Sequence, residues 1–327
     1  MNPFKFSIAQ NPAQVISMLI KNESAALLGG GTNLLDLMKE HVSNPSELID
    51  ISRLDLKAIK QNSTGISLGA LAKNTDTANH LVIRKDFPIL SKAILAGASA
   101  QIRNMATNGG NLLQRTRCSY FYDIAMPCNK RQPGSGCAAM DGFNRMHAIF
   151  GWSDKCVAVY PSDMAVALSA LRASVKILQP DGKSKSIAFD DFHLLPGTRP
   201  EKDNSLKHGE LITSIEIPKN GFAAHSSYVK IRDRNSYAFA LVSVAAGLDI
   251  KEGIINAANI SLGGVAHKPW RAFKAEAYLK GKAANQANFR KAAEMEMADA
   301  KPLSQNKFKV QMGANSITKA LELALKG

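Results

Sequence analysis

The sequence predicts an α+β protein of two domains. Its 327 residues suggest about two units of roughly 150 residues each. Up to Pro218, short apolar strands are interspersed with helical segments. Beyond it, three strand-like runs precede two helical regions, an order typical of α+β domains. Hydrophobic residues make up 45% of the chain and charged residues 21%, so a packed core is expected and wholesale disorder is excluded.

The first part of the chain alternates between helical and strand-like patterns. Apolar residues recur every three to five positions in the helical segments, whereas the strand-like runs are short, apolar and often bounded by glycine. The predicted elements are a helix at 13–21, a strand running into three glycines at 26–31, a helix at 32–41, strands at 47–52 and 65–71, and helical segments between 75 and 105.

Residues 114–156 read as an insertion. They are rich in Arg, Gly, Pro and Cys and weakly periodic, so we expect something other than a hydrophobic core to organise them. The elements predicted after this insertion are a helix at 161–173, a hairpin around the PDGK turn at 180–183 and a strand at 211–218. The second domain is predicted to contain strands at 226–233, 239–250 and 254–265 and helices at 272–299 and 314–326.

The charge of the chain first suggests a nucleic-acid partner, because its formal net charge is +14. A nucleic-acid-binding zinc protein would cluster its basic residues around stacking aromatics. Here Lys and Arg are spread along the chain and aromatics are only 6%, so we expect no nucleic acid. No apolar run reaches the roughly 18–20 residues that span a bilayer. The N-terminus lacks a basic stretch followed by an apolar one, so we also expect no secretion signal on this chain.

Two glycine motifs point to an anionic cofactor. Leu28-Gly29-Gly30-Gly31-Thr32-Asn33 lies between a predicted strand and a predicted helix, where backbone N–H groups close on an anion. It is neither a Walker A loop nor a G-x-G-x-x-G motif, and a plain glycine turn is the alternative. A second motif follows about 75 residues later, at Thr107-Asn108-Gly109-Gly110-Asn111. Finding both favours a cofactor that contains a diphosphate.

All four cysteines of the chain lie in or beside the insertion, at Cys118, Cys128, Cys137 and Cys156. Four thiolates suit either zinc or an iron–sulfur cluster. Structural zinc sites usually pair cysteines two to four residues apart. These cysteines are separated by nine, eight and eighteen residues, which favours a cluster held by a long loop. Unrelated thiols, or disulfides formed after export, are the alternatives.

Together these motifs resemble the FAD-binding medium subunits of the molybdenum hydroxylases, the xanthine dehydrogenase and aldehyde oxidoreductase family. The resemblance covers essentially the whole chain and rests on LLGGGTNLLDLMKE, ATNGGNLLQ, YPSDMAVAL and SLGGVAHKPWRA. The insertion, with RTRC, PCNKR and GSGC, resembles one branch, the three-subunit bacterial periplasmic aldehyde oxidoreductases, whose insertion holds a [4Fe–4S] cluster. The medium subunit of 4-hydroxybenzoyl-CoA reductase also carries a cluster in an insertion but is less similar.

The resemblance implies a two-lobed PCMH/VAO-type FAD-binding domain over residues 1–218, with lobes at about 1–57 and 58–218 and the cluster insertion at about 114–157. A smaller α+β domain of the CO dehydrogenase flavoprotein C-terminal type, an antiparallel sheet with helices, would follow over 222–327.

The resemblance also assigns cofactor residues. Asp163 matches a flavin-side carboxylate of the family, with a helix N-cap as its alternative; Ser162 is better placed for that cap. Lys230 matches loosely a lysine near the isoalloxazine, with a surface lysine as its alternative. His147 is left out of the metal set. The implied FAD-binding residues are Leu28, Gly29, Gly30, Gly31, Thr32, Asn33, Leu34, Thr107, Gly109, Gly110, Asn111, Asp163 and Lys230. The implied cluster ligands are Cys118, Cys128, Cys137 and Cys156.

The function implied by the resemblance is electron transfer within a heterotrimer, with no catalytic residue in this chain. Aldehyde oxidation would occur in a large molybdenum-cofactor subunit, and electrons would pass through two [2Fe–2S] clusters of a small subunit to FAD and then to an external acceptor. The alternatives are a medium subunit of the xanthine dehydrogenase or 4-hydroxybenzoyl-CoA reductase type, and a standalone flavin oxidase, for which no catalytic base is found. We expect a periplasmic location by co-export with a signal-bearing partner, with the cytoplasm as the alternative.

Overall fold

The computed structural model describes residues 1–327, and three β-sheets organise the chain. Two sheets lie before Pro218 and the third lies after it. The α+β class predicted from the sequence is therefore confirmed. No helix combines the length and the apolar character needed to cross a bilayer.

The first lobe is a parallel sheet of three strands with two helices. Asn11 caps the first helix by accepting a hydrogen bond from the backbone N–H of Gln14, and the helix buries Val15 and Leu19 in the core of this lobe. Its elements are β1 Lys5–Ile8, α1 Pro12–Lys21, β2 Ala25–Leu28, α2 Leu34–Lys39 and β3 Glu47–Asp50. The sheet order is β1-β3-β2, so the glycines after β2 lie at the carboxyl edge, where parallel sheets bind ligands.

The second lobe is a five-stranded antiparallel sheet packed against short helices. Its elements are β4 Ile59–Gln61, β5 Gly65–Gly69, α3 Asn74–Asn79, α4 Leu81–Asp86, α5 Pro88–Ala96, α6 Ala100–Met105, α7 Asn108–Leu112, α8 Ser119–Tyr122, α9 Asp163–Ala170, β6 Ser174–Leu178, β7 Ser184–Ala188, α10 Phe189–Phe192 and β8 Leu211–Pro218. The strand order is β4-β5-β8-β6-β7. Every residue of α9 is buried, because this helix runs through the centre of the lobe.

The predicted helical region 75–105 is divided into four helices. Extended backbone at His80 separates α3 from α4, and Pro88 opens α5 at a position where its missing N–H is harmless. Ser99 caps α6 through the backbone N–H of Ile102. These breaks turn the chain repeatedly, so that the end of α6 returns to the first glycine loop.

The insertion has little regular structure, as the sequence predicts. Between α7 and α9 the only helix is the four-residue α8. The two small apolar clusters around the cysteines contain three buried residues each, whereas the main core of the second lobe contains 28, and Ile149 and Phe150 near the end of the insertion pack in the core of the second domain. Hydrophobic burial alone therefore provides little stabilisation for this segment.

The second domain is a four-stranded antiparallel sheet with helices packed on it. Its elements are β9 Ser226–Ile231, β10 Val242–Lys251, β11 Ile254–Gly263, β12 Trp270–Arg271, α11 Phe273–Leu279, α12 Gln286–Met297 and α13 Phe308–Lys326. The strand order is β12-β11-β10-β9. Helix α13 begins six residues earlier than the sequence predicts, at a point where Lys309 is fully buried and donates to three backbone carbonyls.

Arg271 joins the two domains. Its guanidinium forms a bidentate pair with Glu276 in its own domain and reaches Asp190 and the carbonyl of Ser169 in the second lobe. Its side chain is 4% exposed. The sequence of the turn His267–Arg271 suggested a surface that faces a partner subunit, with packing between the domains as the alternative. In the structure Lys268 and Arg271 of this turn instead contact Asp190 of the second lobe.

Candidate functional site

A cleft of about 850 Å³ lies where the two lobes meet the second domain. This volume is within the range of about 300–1,000 Å³ that is common for ligand sites. Among the thirteen residues predicted to bind a cofactor, only Leu28, which belongs to β2, and Gly109 do not line the cleft. The predicted residues that do line it are Gly29, Gly30, Gly31, Thr32, Asn33, Leu34, Thr107, Gly110, Asn111, Asp163 and Lys230.

The first glycine loop presents a row of free hydrogen-bond donors. None of the six consecutive backbone N–H groups from Gly29 to Leu34 donates to a protein acceptor. Gly31 has φ +72°, a left-handed conformation that glycine adopts without strain. Successive N–H groups in such a loop form a concave nest that binds anions. The loop therefore fits a pyrophosphate.

The two glycine loops pack backbone to backbone. A Cβ atom on Gly30 would lie 2.1 Å from the carbonyl oxygen of Met105, and one on Gly29 would lie 3.2 Å from Oγ1 of Thr107. Glycine is thus required at position 30 by close approach. The contact brings β2 of the first lobe against the end of α6 in the second lobe and closes one end of the cleft.

The second glycine loop uses most of its own donors. The N–H groups of Asn108 and Gly109 donate to the carbonyls of Ala72 and Ala70, and those of Gly110 and Asn111 donate to the side chain and carbonyl of Thr107. The second loop therefore has few backbone N–H groups left for an anion, in contrast to the first. Gly109 instead packs α7 against Ala70, at the end of β5.

A buried ion pair lies at the other side of the cleft. Asp163, in the first turn of α9, accepts a hydrogen bond from the hydroxyl of Tyr228, and its other oxygen lies 2.8 Å from Nζ of Lys230. Lys230 also donates to the carbonyl of Ala96, and its side chain is 5% exposed, so it is not a surface lysine. Burial and the negative charge of Asp163 raise the pKa of Tyr228 well above its usual value. Ser162 caps α9, which leaves Asp163 free for these contacts.

Sequence reasoning missed the segment that follows β9. The loop between β9 and β10 contributes charged and aromatic side chains to the cleft wall. The missed lining residues in this loop are Asp233, Arg234, Tyr237 and Phe239. Their signal in the sequence is the run RDRNSYAF, in which charged and aromatic residues interrupt two strand patterns.

The four cysteines surround a single small internal cavity and form no disulfide. Cys128 and Cys137 lie opposite each other in an antiparallel bridge, and Cys118 and Cys156 approach from the two ends of the insertion. No three His, Cys, Asp or Glu side chains converge tightly enough to hold a single metal ion. Four cysteines around one space are a donor set that suits either zinc or an iron–sulfur cluster.

Backbone N–H groups lie near two of these sulfur atoms. Those of Tyr120 and Phe121 act to lower the pKa of Cys118, and those of Val157, Ala139 and Met140 act to lower the pKa of Cys137. Donors of this kind stabilise thiolates.

Burial nevertheless raises the pKa of Cys118 to about 11. A hydrogen bond from the thiol of Cys156 lowers the pKa of Cys137 to about 6, and the same bond raises the pKa of Cys156. In the free protein Cys118 and Cys156 thus stay thiols, which a bound metal would deprotonate, whereas Cys137 is held towards the thiolate.

Excess positive charge lies next to the cysteines. Lys130, which is 3% exposed, and Arg115 both bind the carboxylate of Asp203, at 2.6 Å each. Burial raises the pKa of Asp203, but these two cations outweigh burial and hold the pKa below its usual value. Two cations on one carboxylate leave one positive charge to offset thiolates. Arg117 pairs with Asp36, and Arg131 donates to the carbonyls of residues 120, 121 and 126.

A second cavity, of about 320 Å³, connects the cleft with the cysteines. It shares Arg117, Met146, Asp163 and Phe239 with the cleft wall, and Cys118 is the only cysteine that lines it. The cleft and the cysteine site are therefore neighbours, with the dipeptide Arg117-Cys118 between them.

The fold and these two sites define a flavin-binding subunit, and the chain belongs to the FAD-binding subunits of the molybdenum hydroxylases. Residues 2–220 match the family described as the FAD binding domain in molybdopterin dehydrogenase, and residues 227–324 match the CO dehydrogenase flavoprotein C-terminal domain. The chain is an oxidoreductase subunit, as predicted.

Among the relatives, the chain is 46% identical to the aldehyde oxidoreductase FAD-binding subunit PaoB of Escherichia coli, over 98% of each chain. It is 25% identical to the carbon monoxide dehydrogenase medium chain of Afipia carboxidovorans, over 98% of this chain and 96% of that one. Quinoline 2-oxidoreductase from Pseudomonas putida 86 has the same fold, with a TM-score of 0.77 and 23% identity over 99% of this chain and 98% of that one. Relatives named as medium chains are subunits of larger complexes.

Proposed function

We propose that this chain is the FAD- and [4Fe–4S]-containing electron-transfer subunit of a molybdenum-dependent aldehyde oxidoreductase. One observation carries the proposal. Two glycine loops meet in a single cleft, where one of them offers six free N–H groups. The name of the 46% identical relative, an aldehyde oxidoreductase FAD-binding subunit, supports the aldehyde as substrate of the complex.

In this proposal the residues of the cleft bind and orient FAD. The N–H groups from Gly29 to Leu34 hold the pyrophosphate, and Gly30 allows the loops to close around it. The Asp163–Lys230 pair lies further along the cleft and sets the charge near the flavin ring. Bound FAD supplies a store for two electrons that an external acceptor then removes.

The four cysteines would hold the [4Fe–4S] cluster. The backbone donors around Cys118 and Cys137, with the surplus charge of Lys130 and Arg115, stabilise the negative charge of a four-thiolate site. Because the insertion has little core of its own, we propose that the cluster has a structural role there, at least equal to any role in electron transfer.

The proposed complex is a heterotrimer with a small [2Fe–2S] subunit and a large molybdenum-cofactor subunit. We propose that it works in the periplasm, exported together with the signal-bearing small subunit. Cell fractionation tests this, and an assembled complex found only in the cytoplasm would refute the location.

Spectroscopy of the purified heterotrimer tests the cofactors. The expected result is a flavin absorbance with a broad cluster shoulder, about one FAD, and iron in excess of the small subunit's two [2Fe–2S] clusters by about four atoms. The isolated chain should bind FAD yet fail to oxidise aldehydes. Aldehyde oxidation by the isolated chain would contradict the subunit assignment, and a complex without flavin would contradict the proposal as a whole.

A further inference from the structure

His147 lies against one of the four cysteines. Its Nε2 atom is 3.1 Å from Sγ of Cys118, and the residue is 5% exposed. Its other ring nitrogen, Nδ1, is buried and has no hydrogen-bond partner. The sulfur of Cys118 is therefore the one hydrogen-bond partner of the ring.

The second domain fixes the position of His147. Lys309 and Asn306 both donate to the carbonyl oxygen of His147, at 3.0 and 3.1 Å. The backbone N–H of His147 donates to the carbonyl of Asn144, whose side chain is in turn held by residues 304 and 305. Lys309 and Asn306 are fully buried. The segment 303–309, which we call the C-terminal clasp, thus orients the histidine from the far side of the insertion.

The direction of the hydrogen bond follows from the chemistry of a metal-bound thiolate. Such a sulfur carries no proton and can only accept, so a histidine in contact with it must present an N–H. When Nε2 carries the single proton of the neutral ring, Nδ1 carries none, so no buried N–H group of the ring is left without a hydrogen-bond acceptor. We propose that His147 is a positioning residue that donates from Nε2 to the Cys118 ligand of the [4Fe–4S] cluster and thereby raises the reduction potential of that cluster. This inference rests on the proposed function, because it requires the cluster.

The contact between His147 and Cys118 lies on the side of the cysteine site that faces the flavin cleft. Cys118 and His147 both line the second cavity, whereas the other three cysteines do not. Hydrogen bonds to the sulfurs tune the potentials of iron–sulfur clusters, because they stabilise the more negative reduced state. His147 therefore acts on the ligand closest to the flavin cleft.

The test compares His147→Leu, which removes the donor, with His147→Gln, which keeps an N–H at a similar distance. His208→Leu is the control, since His208 contacts the carbonyl of Leu19 in the first lobe. All are measured in the purified heterotrimer, by iron and sulfide content and by a redox titration followed by electron paramagnetic resonance.

We expect His147→Leu to retain the cluster and to shift its reduction equilibrium at least tenfold toward the oxidised state, which is about 59 mV for one electron. His147→Gln should lie closer to the wild type, and the control should match it. An unshifted potential in His147→Leu would overturn the inference while leaving the proposed function intact. Loss of iron in both His147 variants would overturn it in favour of a ligand or packing role. A wild-type complex without the cluster would refute the inference together with the cluster part of the proposed function.

Discussion

Replacing Gly30 with alanine should separate the two glycine loops. The added Cβ would lie 2.1 Å from the carbonyl oxygen of Met105, 2.8 Å from its carbonyl carbon and 3.0 Å from Cα of Ala106. These are backbone atoms, which cannot rotate away as a side chain does. Ordinary contact begins near 3.4 Å, so one loop must move by about 1.3 Å.

The size of the effect follows from this displacement. Overpacking of this kind costs about 1–3 kcal/mol. Since each 1.4 kcal/mol is a factor of ten in affinity, strain of this size in the closed cleft should weaken FAD binding in Gly30→Ala by about 5- to 140-fold. Fluorescence titration of the deflavinated complex with FAD measures this change, and thermal unfolding reports any loss of stability.

Alanine substitutions at two other glycines serve as controls for the effect of Gly30→Ala on FAD binding. Gly221→Ala places its Cβ no closer than 3.6 Å to any neighbour and lies outside the cleft, so it should bind FAD like the wild type. In Gly29→Ala the closest neighbour of the added Cβ is a side-chain atom, Oγ1 of Thr107 at 3.2 Å, so this variant should be intermediate. Wild-type affinity and wild-type thermal stability in Gly30→Ala would refute the close-packed arrangement of the two loops.

Three other substitutions test the remaining charges and ligands. Asp203→Asn should destabilise the protein by about 3–5 kcal/mol in thermal unfolding, because it leaves Lys130 buried without its partner. Since the pKa of Asp203 is lowered in the folded state, its contribution to the free energy of unfolding is complete above about pH 4 and is lost as the pH falls further. Below that pH the stability of the variant should therefore fall less steeply than that of the wild type. An equally steep fall would contradict this. Cys128→Ser should mainly impair folding or assembly, measured as the yield of heterotrimer, and a well-assembled trimer with slow electron transfer would argue against this. Lys230→Met should make the potential of bound flavin more negative in spectroelectrochemistry, and an unchanged potential would show that this cation does not act on the flavin.

Sequence patterns predicted the elements that have strong periodicity or a glycine boundary. The helix α1, the strand β2 and the long strands β10 and β11 all appear close to their predicted positions. The edge strands β1 and β4 were missed, because their side chains are largely exposed and show no apolar alternation. The breaks within 75–105 depend on tertiary packing, which overrides the helical spacing there.

The site could be predicted in part. The clustering of the cysteines in the sequence correctly indicated that they meet in space, and the glycine motifs indicated the cleft. Free and occupied N–H groups could not be distinguished, because the donors of the second loop bind carbonyls at Ala70 and Ala72, which lie far from it in the sequence. The contact between His147 and the clasp was also inaccessible, since about 160 residues separate Lys309 from that histidine.

The C-terminal clasp has a consequence for biosynthesis. Residues 303–309 come after every strand of the second domain in the sequence. Asn306 and Lys309 of this segment nevertheless donate to the backbone at His147, towards the end of the insertion whose earlier part carries Cys118, Cys128 and Cys137. On the ribosome, the cysteines emerge long before the residues that complete their surroundings. The proposed cluster, if delivered during translation, would meet an unsupported loop. We therefore expect it to be loaded only after the second domain has been released and has docked on the insertion.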